Sequence, residues 1–295
     1  IIGNNYSTTP GYTFRGVVQY GETFDENDYI ISNNFNFLTK KSVRNYKRDT
    51  YSVINYFNIP YNPGCKVVYT LYAQNAGLGF YTYNFPTIFD TSTGMTSIPI
   101  GIPQINEMAT NGLLNYLGTI PTSGDVIGDN CIQYSIKIQD VSGNTLTDEY
   151  FVNINDKYNE FNGVEFVYLG ELGTYETFCA NYIHREEFYT NFNEIKQNHY
   201  RINNDLYSYT IGDRGRKIVN RTTNRTHQVN TDWITDNEIS SVLELLNSND
   251  VYVRDGNYLY PVLITNSRYT KYSEINDGLF YYTITYEDSY EKLSV

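Results

Sequence analysis

Alternation of apolar and polar residues is the clearest pattern in the chain, and it predicts β-strands. Within Cys131–Asp140, every second residue from Ile132 to Ile138 is apolar, which is the period of a strand with one buried face. Turn-forming residues at 141–144 follow, and the chain is predicted to return as a strand beyond them. Further strands are predicted in the first 170 residues at Tyr12–Tyr20, Lys66–Gln74, Leu78–Phe85, Thr145–Ile154 and Val164–Leu169.

Two stretches lack this alternation. Residues 33–58 are rich in asparagine, tyrosine and basic side chains without a clean period, so a long loop is predicted there. Residues 89–124 contain several prolines and glycines, which favour loops and edge strands, with a short helix over Ile105–Leu117 as an alternative. The polar, turn-rich residues 1–11 are predicted to form an N-terminal arm.

A helix is predicted at about residues 236–247. Thr235 and Glu238 have the spacing of a capping box, in which each side chain bonds the backbone amide of the other residue. Ile234 and Ile239 are placed to form a hydrophobic staple across the helix start. Apolar residues then follow at helical spacing, so one face is expected to pack inward.

A β-meander is predicted after the helix. Asp255-Gly256-Asn257 and Asn276-Asp277-Gly278 are turn signals between apolar runs, and Gly256 and Gly278 are the glycines expected to shape these turns. Pro261 cannot donate a backbone hydrogen bond, so its strand is expected at an edge or a bulge.

These elements predict a mostly β fold with two β-sandwich-like domains, at residues 12–160 and 161–295. The C-terminal domain is expected to hold the single short amphipathic helix followed by the meander. Composition agrees, because 32 tyrosines and 15 phenylalanines favour strands, whereas only four alanines are present to favour long helices.

The formal net charge of −12 disfavours general nucleic-acid binding, because an acidic chain repels the phosphate backbone. Three widely spaced cysteines predict buried free thiols rather than disulfides or a zinc site. No apolar run approaches the roughly 20 residues needed for a membrane segment.

The sequence predicts no catalytic residues, no cofactor and no metal site, so the chain is not expected to be an enzyme. The three histidines lack the spacing of a metal-binding motif. Adjacent acids such as Glu186 and Glu187 point to opposite faces if they lie in a strand. A pair of carboxylates that meets only in the folded chain stays open.

One basic cluster is a candidate interaction site, and it has two interpretations. The first is contact with an anionic partner. The second, which we favour, is a solvated loop that balances local acids. The cluster consists of Lys40, Lys41, Arg44, Lys47 and Arg48.

Two segments resemble virion tail and baseplate structural proteins of Bacteroidetes-infecting bacteriophages, including the crAss-like phages. The first is Val164–Phe178 (VEFVYLGELGTYETF), a strand followed by a turn centred on Gly173; Gly170 and Thr174 depart from the family pattern. The second is Asn230–Glu287, which contains the capped helix and the meander. The resemblance covers about 130 residues of the C-terminal half, and the first 130 residues resemble no family.

The resemblance implies a structural component of a phage tail, such as a hub, adaptor or fibre-attachment protein, located in the virion after assembly in the bacterial cytoplasm. Its expected partners are other virion tail proteins and further copies of itself, arranged as a ring or fibre base. The high tyrosine content agrees with an interaction protein, since many tyrosines are expected at the surface. The alternatives are a carbohydrate-binding or adhesin module and a tail-borne glycan hydrolase.

Overall fold

The computed structural model describes residues 36–39, 41–58, 65–75, 79–88, 94–114, 126–154, 163–180, 182, 184–196, 201–203, 206–208, 215–231, 233–266, 281–289 and 292–294. The fold is mostly β and β-sandwich-like, so the predicted fold class is confirmed. The predicted N-terminal arm at 1–11, the predicted strand Tyr12–Tyr20, and Lys40 and Gly278 lie outside the described residues.

The N-terminal half consists of a five-stranded sheet covered by a smaller layer. The sheet has the order β1-β7-β6-β3-β4, and β1 pairs parallel with β7 whereas the other pairs are antiparallel. The smaller layer holds the antiparallel pair β2-β5 and a helix. In chain order the elements are β1 (Val43–Tyr46), β2 (Val53–Asn58), β3 (Lys66–Asn75), β4 (Gly79–Ile88), β5 (Gly94–Pro99), α1 (Ile102–Thr110), β6 (Cys131–Gln139) and β7 (Tyr150–Ile154).

The N-terminal core lies between these two layers. Apolar side chains from one face of the sheet pack on β2, β5 and the start of α1, which excludes water from both layers. The buried side chains include Val67, Tyr69, Leu71, Tyr134, Ile136 and Val152 from the sheet and Ile54, Ile98, Ile102 and Ile105 from the other layer.

Core tyrosines use their hydroxyl groups to join the layers. The Tyr69 hydroxyl donates to the carbonyl of Pro99 at 2.9 Å, and the Tyr134 hydroxyl donates to that of Ile100. A buried tyrosine therefore satisfies its polar end while its ring fills the core. Tyr46, Tyr56, Tyr150, Tyr168, Tyr282 and Tyr286 are buried as well, whereas Tyr175, Tyr189, Tyr258, Tyr260 and Tyr281 are exposed.

One prediction for an irregular segment is wrong, because residues 33–58 contain strands β1 and β2 rather than a long loop. Residues 94–110 contain β5, which pairs with β2 alone, and α1, in agreement with the predicted edge strand and short helix. Helix α1 begins at Ile102, three residues before the predicted start. Its N-cap is Gly101, where an added Cβ would lie 2.5 Å from the carbonyl oxygen of Thr50, so only glycine allows this close approach.

Strand β6 confirms the predicted alternation but contains a bulge. The register with β3 pairs Tyr72 with Gln133 and Ala73 with Cys131, which leaves Ile132 as the extra residue. Side chains on either side of a bulge change face, so Cys131 is buried while Ile132 is exposed.

The C-terminal half is built on one eight-stranded sheet. Its order is β10-β13-β16-β15-β14-β8-β9, with β17 pairing to β13, and all of its pairs are antiparallel. A further hairpin, β11-β12, is separate. The elements are β8 (Val164–Leu169), β9 (Tyr175–Ala180), β10 (His184–Lys196), β11 (Arg201–Asn203), β12 (Leu206–Ser208), β13 (Arg216–Asn230), α2 (Asp236–Asn247), β14 (Val251–Asp255), β15 (Tyr258–Ile264), β16 (Thr283–Asp288) and β17 (Lys292–Ser294).

Helix α2 occupies the predicted residues and packs on one face of this sheet. Its buried residues Ile239, Val242 and Leu245 join a second core cluster with side chains from β8, β13, β14 and β16, and Ile234 joins the same cluster. The two core clusters fall on either side of residues 155–163.

The predicted capping box is present at the start of α2: the Thr235 side chain faces the backbone amide of Glu238, and the Glu238 side chain reaches back to the amide of Thr235. The carboxylate of Glu238 accepts from the Thr235 amide at 2.9 Å and from the Thr235 hydroxyl at 3.0 Å. The Glu238 amide also bonds the Thr235 carbonyl.

Glycine forms the turns at Gly173 and Gly256. Their φ angles are 76° and 58°, a region that other residues avoid. Gly256 lies in the two-residue connection between Asp255 and Tyr258. Strand β15, which contains Pro261, lies between β14 and β16 and is therefore not an edge strand. It pairs with β16 only from Val262 onward, so Pro261 lies just outside the residues paired with β16.

The two halves meet at the edge strand β9. Thr174, just before β9, donates to the Leu38 carbonyl at 3.1 Å, and the Thr50 hydroxyl lies 3.3 Å from the Cys179 sulfur near the other end of the strand. The N-terminal segment around β1 thus wraps the edge of β9 and covers it, which protects an edge that would otherwise be open to strand pairing. All three cysteines are buried and free, as predicted.

Candidate functional site

Strands β10 and β13 form a long two-stranded feature. We name it the arm, and it is distinct from the N-terminal arm predicted at residues 1–11. The strands contain 13 and 15 residues. At the base of the arm, β16 pairs with Thr226–Asn230 of β13; farther out, β17 pairs with Arg221–Thr223. Among the described residues, the outermost part of the arm pairs only with itself.

One face of the arm, which we name the aromatic face, carries phenylalanine and arginine. The register places Phe188 opposite Arg225 and Phe192 opposite Arg221, and directly opposite residues share a face. Phe188 is 66% exposed and Phe192 is 54% exposed. The Arg225 guanidinium lies 5.7 Å from the centre of the Phe188 ring, which is a cation–π contact.

The other face of the arm is exposed as well. Tyr189 is 65% exposed there, and Arg185 and Glu187 form a solvent-exposed ion pair at 3.3 Å. A register shift leaves Val219 as the extra residue of a bulge in the outer part. Within the described residues the outer part of the arm has two strands, and exposed aromatic rings at such a site favour docking on another surface.

The arm is basic although the chain is acidic. Strand β13 carries Arg216, Lys217, Arg221 and Arg225 and no acid, while β10 carries two basic and three acidic residues. The two strands therefore have a net charge of +3. The rest of the chain has a net charge of −15, and the two values add to the total of −12.

Two histidines meet at the base of the arm. His184 Nε2 and His227 Nδ1 are 3.0 Å apart, and the His227 ring stacks on Tyr286 with 4.6 Å between ring centres. Burial lowers the pKa of His227 below its ordinary value, and the Arg225 guanidinium lowers that pKa further, while Asp288 opposes the change. His227 is therefore neutral at physiological pH.

Sequence reasoning missed both the arm and this histidine pair. The histidines are 43 residues apart and become neighbours only through the register of β10 with β13. The arm strands are rich in Thr, Asn and charged residues on both faces, so no apolar alternation marks them.

The basic cluster is not a solvated loop, and Lys41 and Arg44 are not accessible to a partner. Their side chains are 5% and 6% exposed. Lys41 pairs with Glu244 of α2 and lies 3.2 Å from Glu176 of β9, and Arg44 also pairs with Glu176. We name these four residues the junction network; its charges cancel.

Three hydroxyl groups complete the junction network. The Tyr168 hydroxyl accepts from Lys41 Nζ at 3.2 Å, the Ser241 hydroxyl accepts from Arg44 at 2.6 Å, and the Tyr150 hydroxyl accepts from Arg44 Nε at 3.3 Å. Buried charges are tolerated when they are paired and hydrogen-bonded in this way. The sequence could not show the junction network, because Glu176 and Glu244 lie more than 130 residues along the chain from Lys41 and Arg44.

Among the other described members of the basic cluster, Arg48 is also structural in its contacts. Lys47 is half-buried. Arg48 donates to the carbonyls of Gly128 at 2.9 Å and Asp129 at 2.8 Å. The cluster therefore fixes chain segments to one another, and the part of it that the structure describes is not a docking patch.

Two other features bear on the alternative functions. Tyr258 and Tyr260 expose neighbouring rings on β15, with 6.4 Å between ring centres, as a carbohydrate-binding surface would need. An open groove of about 430 Å³ beside α1 is lined by Glu107 and Asp129, the kind of carboxylates a glycan hydrolase uses.

Comparison of the chain with protein-family models, curated proteins and solved structures finds no match. In the described part of the chain, no helix has the length and apolar character needed to cross a membrane.

Proposed function

We propose that this chain is a structural subunit that works by protein–protein assembly and that its arm docks on a neighbouring subunit. The observation that carries the proposal is the exposure of Phe188 and Phe192 on a projecting strand pair. Exposed aromatic clusters of this kind mark interaction sites, because their burial on a partner removes apolar surface from water.

Charge favours a second copy of the same chain as the surface that receives the arm. The arm carries +3 and the remainder of the chain −15, so the arm of one copy is attracted to the body of the next. Such a contact joins two different surfaces, which closes into a ring or extends as a filament.

We propose further that this assembly belongs to a virion tail, as a hub, adaptor or fibre-attachment component; the resemblance of Val164–Phe178 and Asn230–Glu287 to phage tail proteins supports this. A ring or fibre base is the arrangement that such proteins need. The part played by the chain is mechanical on this proposal, and no catalytic residues are assigned.

The assembly step is tested by measuring the native mass of the protein by light scattering at low and high salt. We expect oligomers of the wild-type chain at low salt and fewer at high salt, because screening weakens the attraction between arm and body. The double variant Phe188→Ser, Phe192→Ser is expected to be a monomer under both conditions.

Tyr189→Ser is the matched control, because Tyr189 is equally exposed on the opposite face of the arm. It should keep the wild-type mass. A monomeric wild-type chain at all concentrations up to about 100 µM would contradict docking through the arm. Mass spectrometry of purified virions tests the tail assignment separately, and absence of the chain from the particles would end that assignment while leaving the assembly result intact.

A further inference from the structure

The base of the arm places three potential metal ligands on one face of the sheet. His184 and Glu186 are two positions apart in β10, so their side chains point the same way, and His227 lies directly opposite Glu186 in β13. Their ligand atoms all lie within 4.8 Å of one another. This arrangement follows from strand register alone and does not depend on the aromatic face.

The distances fit one small cation. His184 Nε2 and His227 Nδ1 are 3.0 Å apart, and His227 Nδ1 and Glu186 Oε1 are 3.9 Å apart. Ligands held about 2.1 Å from a tetrahedral metal ion lie about 3.4 Å from each other, so the two distances that His227 Nδ1 makes are each within about half an ångström of this spacing.

Neighbouring groups already orient the ligands. The Tyr286 ring lies parallel to that of His227, at an angle of 3°. Asp288 Oδ1 lies 3.7 Å from His227 Nε2, on the side of the ring away from the other ligands. Arg225 donates to Glu186 Oε1 at 2.6 Å and fixes that carboxylate. A carboxylate behind a histidine and a donor on a ligand carboxylate are typical supporting contacts of metal sites.

We propose that His184, Glu186 and His227 form a binding site for a first-row divalent transition metal of the zinc class. Two imidazoles and one carboxylate are a ligand set that suits Zn²⁺ and disfavours Ca²⁺ and Mg²⁺, which prefer oxygen ligands. The metal would join β10 to β13 where the arm leaves the body, so it would stiffen the arm at its base.

The proposal is tested by titrating the full chain, freed of metal with a chelator, with Zn²⁺ in a calorimeter, and with Co²⁺ in a spectrophotometer. We expect one equivalent of Zn²⁺ to bind with micromolar or tighter affinity, and Co²⁺ to give visible absorption bands typical of nitrogen and oxygen ligands. His184→Ala, at a half-buried position, is expected to weaken Zn²⁺ binding at least tenfold, and Glu186→Gln is expected to weaken it as well.

His199→Ala is the matched control and should bind Zn²⁺ like the wild-type chain. Because His227 is buried and its replacement could disturb the core, His184→Ala carries the decision. No binding up to about 100 µM Zn²⁺, or binding that His184→Ala leaves unchanged, overturns the proposal. The result is independent of the native mass, so it does not depend on the proposed assembly.

Discussion

Glu165 shows how burial changes the chemistry of a single side chain. It lies on the face of β8 opposite α2, with its carboxylate 2.9 Å from Arg254 Nε, and the Arg254 guanidinium lies over the ring of Tyr51 at 4.7 Å. Burial raises the pKa of Glu165 to about 7, Arg254 lowers that pKa, and Asp49 raises it. Loss of hydration therefore outweighs the nearby positive charge.

We expect this shift to make stability depend on pH. Between the ordinary pKa of 4.5 and about 7, the folded state keeps a proton that the unfolded state releases. The contribution of Glu165 to the free energy of unfolding therefore falls as the pH rises through this window. Above the window it does not change further. Relative to Glu165→Gln, the wild-type chain should lose about 1.4 kcal/mol of unfolding free energy between pH 6 and pH 8.

Urea unfolding of both proteins at the two pH values measures this difference. Glu187→Gln, at a partly exposed position, serves as the control; it keeps Glu165, so it should lose the same unfolding free energy between pH 6 and pH 8 as the wild-type chain. A difference between wild type and Glu165→Gln that is independent of pH would mean that Arg254 keeps the carboxylate ionised throughout.

Helix α2 shows how far local code in the sequence determines an element. The Thr235 and Glu238 spacing and the apolar face of the helix placed it at residues 236–247, because caps and helical periodicity act over only a few residues. The same sequence code could not show that the carboxylate of Glu238 also accepts from Asn45, which comes from the other half of the chain.

Thr235→Ala is expected to lower the free energy of unfolding by about 1 kcal/mol, since it removes one hydrogen bond at the helix start. The amide of residue 235 can still reach Glu238, so the helix should persist. Thermal and urea melts followed by circular dichroism provide the measurement. Thr285→Ala, a change in the sheet away from the helix, allows general effects of truncation to be separated, and an unchanged melt for Thr235→Ala would contradict the role of the cap.

Strands were predictable where one face is buried and the other is not. Strands β6 and β8 follow that rule, whereas β1 has buried Arg44 beside buried Tyr46, so its charged residue hides its strand character. Strand β10 is exposed on both faces over most of its length and β13 over its outer part, so the arm leaves no apolar period to read. The candidate site thus lay where hydrophobic patterning contains least information.

At the scale of the whole molecule, the junction network links the two halves of the chain. Lys41 comes from the N-terminal half and Glu244 from α2 in the C-terminal half, and both side chains are nearly inaccessible. Removing one partner leaves a buried charge without its counterion, whereas removing both together avoids that cost. The coupling energy between Lys41 and Glu244 can therefore be measured by comparing the single variants with the double variant.

We expect Lys41→Met and Glu244→Met each to lower the unfolding free energy by about 3 kcal/mol, and the double variant to lower it by less than the sum. Urea unfolding of the four proteins gives the coupling energy. The exposed pair Arg185 and Glu187 offers the control cycle, with an expected coupling below about 1 kcal/mol. Additive effects of Lys41→Met and Glu244→Met would show that the two charges do not depend on each other.

The coverage of β9 has a consequence for how the large sheet can grow. One margin of the sheet is sealed by the N-terminal half of its own chain, and β10 forms the opposite margin. Among the described strands, a foreign strand that extends the sheet at a margin therefore joins at β10. Two copies that pair through β10 would both use up their free margins, so edge pairing of this sheet would end at a pair and could not propagate as stacked strands.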